Sequence, residues 1–510
     1  MDEPAIRLSQ PAGRWVILAT VLGSGMAFLD STVVNVALPA IGRHLGASLA
    51  GLQWTISAYT LTLAGLILLG GSLGDHLGRR RIFLIGVIWF ALMSALCGAA
   101  PNINVLIAAR ALQGIGGALL TPGSLAIIQA SFAQEDRPRA VGAWSGLGGI
   151  AGAAGPLLGG WLVSAAGWRW VFLINLPVAA VVIAVTLRHV PETTDPSAHG
   201  RFDISGAVSG ALALAGISYA LIEAPGGGGR VWAAAAVGVA AAVAFVLTER
   251  RRTRPDSRIP AMMPVNVFGS REFTVVNVVT FLLYGAFGGV FFLLILQLQI
   301  VSGYSPLRAG LSLLPATLLM LALSSRAGGL AQRFGPRWLM AGGTALAAIG
   351  VLLMARIGAH ASYLTDVLPP VCVFGVGLAI TVAPLTATVM ASVDVSHAGL
   401  ASGVNNAVAR SAGLLAVAGL PVAVGLTPAS YRSPPEFGHG FRMAMIVCAG
   451  LVATSAVLSA LLVDNSVLTG TPGRRPPQPE SRVCCPVGAP PLETGKIRTV
   501  LNRITRPAPG

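Results

Sequence analysis

Asp30 stands in the stretch GMAFLDSTVVNVALP (residues 25–39), inside an apolar run whose nearest charged neighbours are Arg14 and Arg43. Arg110 heads ARALQGIGG in a second apolar run, and i+3 and i+4 spacing puts Gln113 and Gly114 on its helical face. A lone charge at that depth in hydrocarbon is expensive. An ion pair lowers the cost for both partners. Within such a pair an aspartate can take up a proton and loosen the contact, while the arginine keeps its charge. That is the chemistry of proton coupling. The alternative is a static bridge that only orients two helices.

Other polar residues sit where a membrane would make them costly. Arg410 lies in NNAVARSAG with Asn405 and Asn406, a set suited to a cavity wall or to a hydrogen bond with a backbone carbonyl. Glu223 ends an apolar run and is a further cavity candidate, as is Gln113. Phe28, Trp54, Tyr59, Phe281, Tyr284 and Phe291 can offer aromatic surface to an amphiphile or simply pack in the bilayer, whereas Asp394 and His397 read as loop residues. Asp75 precedes the cluster Arg79-Arg80-Arg81; it can cap the next helix or bridge to the cluster, forming a latch that breaks when the molecule changes state. Gly155, Pro156, Gly159 and Gly160 describe a thin, kinked helix open to close approach.

Some chemistry is not expected. The chain has no phosphate-cradling loop with lysine, and its five cysteines lack metal-ligand spacing, so neither ATP hydrolysis, a bound metal nor any other cofactor is anticipated. The adjacent Cys484 and Cys485 read as inert, with oxidation or lipidation as the alternative. An enzyme is not expected.

The elements that must hold these residues are set by composition. Of 510 residues, 54% are hydrophobic and only 10% charged, against about a quarter charged in soluble domains. Apolar segments recur at 16–40, 50–72, 81–100, 104–128, 139–163, 168–188, 204–223, 231–248, 273–298, 308–331, 338–356, 363–386, 399–425 and 441–463. Each is long enough to cross about 30 Å of hydrocarbon as a helix. The reading is an all-α membrane protein with fourteen spans, the weakest being the small-residue run at 234–247. No cleavage-like site follows the first run, which reads as a retained helix. A net charge of +15 could suggest nucleic acid, but the arginines punctuate the apolar runs instead of gathering on one segment. With the N-terminus inside, sixteen of them fall on inner connections and seven on outer ones, so both termini are expected in the cytoplasm. On this topology Asp30 and Arg110 lie roughly 15 Å and 10 Å below the outer surface, within side-chain reach in height if their two helices adjoin.

A repeat organises the spans. GGSLGDHLGRRRIF (70–83) and GGLAQRFGPRWLM (328–340) share a Gly-Gly start, a polar linker, a glycine and basic residues, at equivalent places in two sets of six helices. Repeated halves are what alternating-access carriers use. The expected plan is a tail (1–14), a first half (15–189), two inserted helices (204–248), a connection (249–272), a second half (273–463) and a disordered cytoplasmic tail (464–510).

Five motifs in order then carry a resemblance: LDSTVVNVALP (29–39), GSLGDHLGRRR (71–81), ARALQGIGGALLTPG (109–123), GAAGPLLGG (152–160) and GWRWVFLINLP (167–177). Together they resemble the major facilitator superfamily, in its fourteen-helix drug/proton antiporter branch, over residues 14–465. The resemblance implies a monomeric carrier in a bacterial plasma membrane. It would use protons to export amphiphilic or cationic small molecules, with Gly155–Gly160 as the antiporter motif. There are departures: His76 replaces a basic motif residue, Gln332 stands at the acidic position of the second loop, and Ala151 replaces a glycine. An uptake carrier for a nutrient and a non-transporting membrane partner are the competing functions.

Overall fold

The computed structural model describes residues 6–194, 203–254, 261–263, 265–393, 398–427 and 429–469. The expectations for Asp394, His397, the paired cysteines and the tail beyond residue 469 lie outside them. Fourteen long helices follow one another: α1 (Pro11–Leu45), α2 (Leu49–Leu77), α3 (Arg79–Ala99), α4 (Ile103–Ser131), α5 (Arg137–Ala165), α6 (Trp170–His189), α7 (Ile204–Glu223), α8 (Gly229–Arg252), α9 (Arg271–Val301), α10 (Pro306–Phe334), α11 (Pro336–Met354), α12 (Tyr363–Ala391), α13 (Ala398–Ala423) and α14 (Pro434–Leu462). Thirteen are long and apolar enough to span a membrane. The other, α5, has 29 residues and carries the apolar segment read at 139–163. The small-residue run at 234–247 is helical within α8, which packs on α7 and leaves Trp232 and Val239 exposed.

Capping fixes where these helices start. Ser48, Asn102, Ser270 and Ser305 accept hydrogen bonds from backbone N–H groups three residues on, at the starts of α2, α4, α9 and α10. Gly78 (φ 108°) and Gly335 (φ 82°) make the turns into α3 and α11, in a backbone region that side chains disfavour. These two turns lie on one face of the bundle, which also holds the basic loop residues; it is the arginine-rich face.

Glycines set how closely the helices cross. A methyl group on Gly86 or Gly116 would stand 2.8 Å or 2.7 Å from a backbone nitrogen of the partner helix, so α3 and α4 meet backbone to backbone. Gly350 and Gly377 do the same for α11 and α12, at 2.5 Å each. The two six-helix halves therefore repeat in packing. Helix α7 fills the seam between α2 and α13.

The core divides unequally between the faces. On the face opposite the arginines, one continuous cluster joins the halves, running from Val33, Leu38 and Leu52 to Leu283, Phe292, Val371 and Phe441. On the arginine-rich face two separate clusters serve the halves, one around Phe83 and Ile128, the other around Phe273 and Leu385. The halves are thus joined at one end and parted at the other. At the joined end Gln299 Nε2 donates to the Val36 carbonyl at 2.9 Å, and Gln53 Nε2 to that of Val417 at 2.8 Å.

The tightest crossing between the halves is between α5 and α10. A Cβ on Gly310 would lie 2.1 Å from the Pro156 carbonyl oxygen, and one on Gly160 2.7 Å from Leu307 Cα. Backbone cannot yield as a flexible side chain can. Gly310→Ala is therefore expected to lower the melting temperature and to lengthen the distance between spin labels at Ser164 and Arg308. An unchanged distance distribution would show that this crossing does not close the opposite face.

Candidate functional site

Asp30 and Arg110 meet: their helices adjoin and their depths match. Asp30 is fully buried, Arg110 is 1% exposed, and Nη1 of the arginine pairs with Oδ2 of the aspartate. The other carboxylate oxygen, Oδ1, accepts from Gln113 Nε2 at 3.1 Å and from Asn175 Nδ2 at 3.2 Å. The guanidinium is engaged through Nε and Nη1. Its Nε donates to the Thr55 carbonyl at 3.1 Å, its Nη1 to Gln113 Oε1 at 2.7 Å, and its plane lies 4.2 Å from the centre of the Tyr59 ring. Ser94 accepts from both amides and donates to the Phe172 carbonyl at 2.8 Å. Five helices (α1, α2, α3, α4 and α6) contribute to the network around this carboxylate.

Sequence reasoning missed Asn175 and Ser94. The signal was present for Asn175, a lone amide in the apolar run VFLINLPVAAVV. A serine in an apolar helix carries no comparable signal, because it can satisfy itself on its own backbone.

Between the halves lies a cavity of about 1060 Å³, lined by α1, α2 and α5 from one half and α9, α10, α12 and α13 from the other. Its α12 lining comes from Val382 to Met390, the last turns before the arginine-rich face. Asp30 does not line it. Ser31 and Thr32 do, so the ion pair stands directly behind the wall. Of the residues expected to form the cavity, only Arg410 does so. Gln113 belongs to the Asp30 network. Glu223 accepts from Trp54 Nε1 at 3.0 Å, tying α7 to α2. Asn405 donates to Asn277 and Thr280 within its own half, and Asn406 is exposed and bonds its own helix at Ser402. The reason is angular: successive residues on a helix differ by about 100°, so neighbours of a cavity residue need not share its face. Among the aromatic candidates, Tyr284 and Phe291 line the cavity, joined by Phe287, which the sequence reading had not singled out. Phe281 points outward at 42% exposed.

Pro156 also lines the cavity, and the glycines around it serve two partners. Gly155 and Gly159 press on Thr32 and Val33 of α1, while Gly160 presses on α10. The α5 motif thus joins the helix bearing Asp30 to the opposite half.

At the arginine-rich face Asp75 bridges to Arg79 at 2.8 Å, one turn away across Gly78. It does not cap α3. That position belongs to Glu192, after α6, whose carboxylate accepts from the N–H groups of Arg80 at 3.1 Å and Arg81 at 3.2 Å. The Arg80 side chain then reaches the Leu187 carbonyl, and that of Arg81 is exposed. The second half repeats this strap: Asn465 Oδ1 accepts from the Arg337 N–H at 3.1 Å, and the Arg337 side chain reaches the Ala460 carbonyl. Glu192 and Asn465 each follow the last helix of their half by three residues.

With this geometry in view, the comparisons with known proteins agree with one another. Residues 20–418 match the family model described as Major Facilitator Superfamily. Puromycin resistance protein pur8 of Streptomyces alboniger is 35% identical over 484 residues, covering 91% of this chain and 94% of that protein. The tetracenomycin C resistance and export protein of Streptomyces glaucescens is 35% identical, covering 82% and 79%. The multidrug resistance protein Stp of Mycobacterium tuberculosis is 37% identical, covering 77% and 72%. In fold the chain is similar to a bacterial homologue of the human lysosomal transporter Spinster, with TM-score 0.62 at 19% identity, covering 91% and 100%.

The polar groups differ in what their loss should do. Asn175→Ala removes a buried donor from both Asp30 and Ser94, and the expected cost is about 1–3 kcal/mol. Glu192→Ala removes an exposed cap, at about 1 kcal/mol. Melting temperatures of the purified variants should fall in that order, with Asn175→Ala lower. The reverse order would mean that the network around Asp30 is not where the first half draws its rigidity.

Proposed function

The chain belongs to the major facilitator superfamily, a multi-pass membrane transporter and not an enzyme, and on that premise we propose that it exports small drug-like or secondary-metabolite molecules in exchange for protons. The relatives above are named for resistance to, or export of, such compounds. With the arginine-rich face in the cytoplasm, as the positive-inside bias favours, both termini are cytoplasmic and the cavity faces inward. The membrane is then a bacterial plasma membrane, and the carrier acts as a monomer with protons as its only coupling ion.

The observation that carries this reading is the buried Asp30–Arg110 pair directly behind the cavity wall. In the inward-facing arrangement every oxygen of Asp30 is occupied by a donor from its own half. A proton can enter only if this network loosens, which couples titration to a change of shape. Ser31 and Thr32 line the cavity while Asp30, on the same helix, holds the arginine. A shift of α1 would therefore be felt on both sides of the wall. Helix α5 presses on that same stretch of α1 and meets α10 across the interface, a mechanical path between the proton site and the closing of the opposite face. Asp75 and Arg79, paired within their own half here, are the proposed latch of the arginine-rich face, to be remade when the halves close there.

Inside-out vesicles with an imposed pH gradient test the proposal. Asp30→Asn keeps the shape and hydrogen-bonding capacity but removes titration. It should abolish gradient-driven accumulation of a drug panel and substrate-driven proton release, while binding to the purified protein survives. Proton release that persists in well-folded Asp30→Asn would make the pair scaffolding. Asp75→Asn should lower turnover at normal expression and insertion; an unchanged initial rate would remove that residue from the latch.

A further inference from the structure

Arg410 is the one ionisable cation on the cavity wall, and no carboxylate lines that wall among the described residues. Its Nε is buried with no hydrogen-bond partner, and its guanidinium makes no hydrogen bond or ion pair among the described residues. The contrast with Arg110 is complete: there, an aspartate, an amide, a carbonyl and an aromatic face occupy the group. The ionisable side chains near enough to act on Arg410 are Tyr59 and Tyr284, both neutral phenols at ordinary pH. A guanidinium kept in an apolar cavity without a counter-ion bears a desolvation cost that only an incoming acceptor offsets. Its planar fork of donors suits oxyanions, which it binds through paired hydrogen bonds.

The rest of the wall describes the body of the ligand. Tyr284, Phe287 and Phe291 stand at i, i+3 and i+7 on α9, one aromatic stripe facing the cavity, with Met320 from α10 as adaptable apolar surface. Gly288 and Gly413 let α9 and α13 touch backbone to backbone, which holds Arg410 against that stripe. We propose that this site selects amphiphilic anions: molecules with a flat apolar body against the α9 aromatics and a negatively charged oxygen group, a carboxylate, sulfonate or phenolate, on Arg410. This deepens the export reading by naming its substrate class, and it departs from the cationic preference that the sequence resemblance allows.

Three pyrene probes sharing a butyl arm, ending in a sulfonate, a methyl ester or a trimethylammonium group, separate the possibilities because their charges do not titrate. Binding is read on the full chain in lipid nanodiscs, with protein-free nanodiscs as the reference that removes partition into lipid. The sulfonate is expected to bind about tenfold tighter than the ester, and the ester no weaker than the cation. Arg410→Gln should bring all three together, while Arg410→Lys keeps the order with a smaller gap. Equal affinities in the native chain, tightest binding of the cation, or an anion preference that survives Arg410→Gln would each overturn the inference. If Arg410→Gln does not fold, the order of the three probes on the native chain and on Arg410→Lys still decides. Accumulation in inside-out vesicles distinguishes the two readings. Gradient-driven uptake of the cation alone keeps proton-driven export and sinks the anion site. Selective sulfonate binding without gradient-driven uptake keeps the anion site and sinks the export mechanism.

Discussion

A carboxylate and a guanidinium buried together inside a helical bundle cannot be separated without leaving one charge uncompensated, at a cost of about 3–5 kcal/mol. In this chain that constraint shapes the whole first half. One turn from Arg110, Gly114 admits the α2 backbone to α4, where a Cβ would stand 2.3 Å from the Tyr59 carbonyl oxygen. The remaining oxygen of Asp30 needs donors from α4 and α6, and Ser94 of α3 holds both amides in place. Each polar group is satisfied only when all five helices are present. Such a network is strong when complete and poor when partial, so it makes the half move as one body.

Among the described residues, the second half reaches a similar arrangement of helices without a buried charge pair. Its α9 and α12 meet through aromatic rings, Phe287 against Phe374 at 5.4 Å and Phe291 against Phe374 at 6.1 Å. Apolar packing tolerates sliding better than a network of directed hydrogen bonds does. The charge in this half, Arg410, instead faces the cavity. The division of labour is therefore visible in the wall itself: one half buries a titratable carboxylate behind it, and the other presents a fixed cation upon it.

Much of this was legible in the chain alone, and the legible parts share a physical cause. Bilayer thickness fixes helix length, so the apolar runs located the spans, and depth arithmetic put Asp30 and Arg110 at matching height, while the adjacency of their helices came from the family resemblance. The α2–α3 turn was readable because Gly78 must adopt a positive φ there. What sequence spacing could not supply was rotation about each helix axis. It placed Asn405 and Asn406 beside Arg410 in the cavity, whereas they face α9 and the helix exterior. It left Asp75 a choice between a bridge to the arginine cluster, which is made, and a cap, which Glu192 provides from more than a hundred residues away. Contacts between distant segments leave no local pattern to read.

The straps at the arginine-rich face show why the two halves need not be chemically equal to be mechanically equal. Arg80 and Arg337 hold corresponding places, each reaching a carbonyl of the last helix in its half. The backbone cap beside each is an acid in the first half, Glu192, and an amide in the second, Asn465. Either group accepts the N–H at the helix start, so both straps fix the entry of the third helix against the sixth. Only the acid adds charge, and it does so beside Asp75, whose counterpart in the second half is the exposed Gln332. A repeat that preserves hydrogen-bond geometry but places its acids on one side keeps the halves rigid in the same way. The two acids beside this turn, Asp75 and Glu192, then lie with the half that also holds Asp30. On the proposed mechanism, proton uptake and closure of the arginine-rich face would then be properties of one rigid body, with the other half supplying the surface that it closes against.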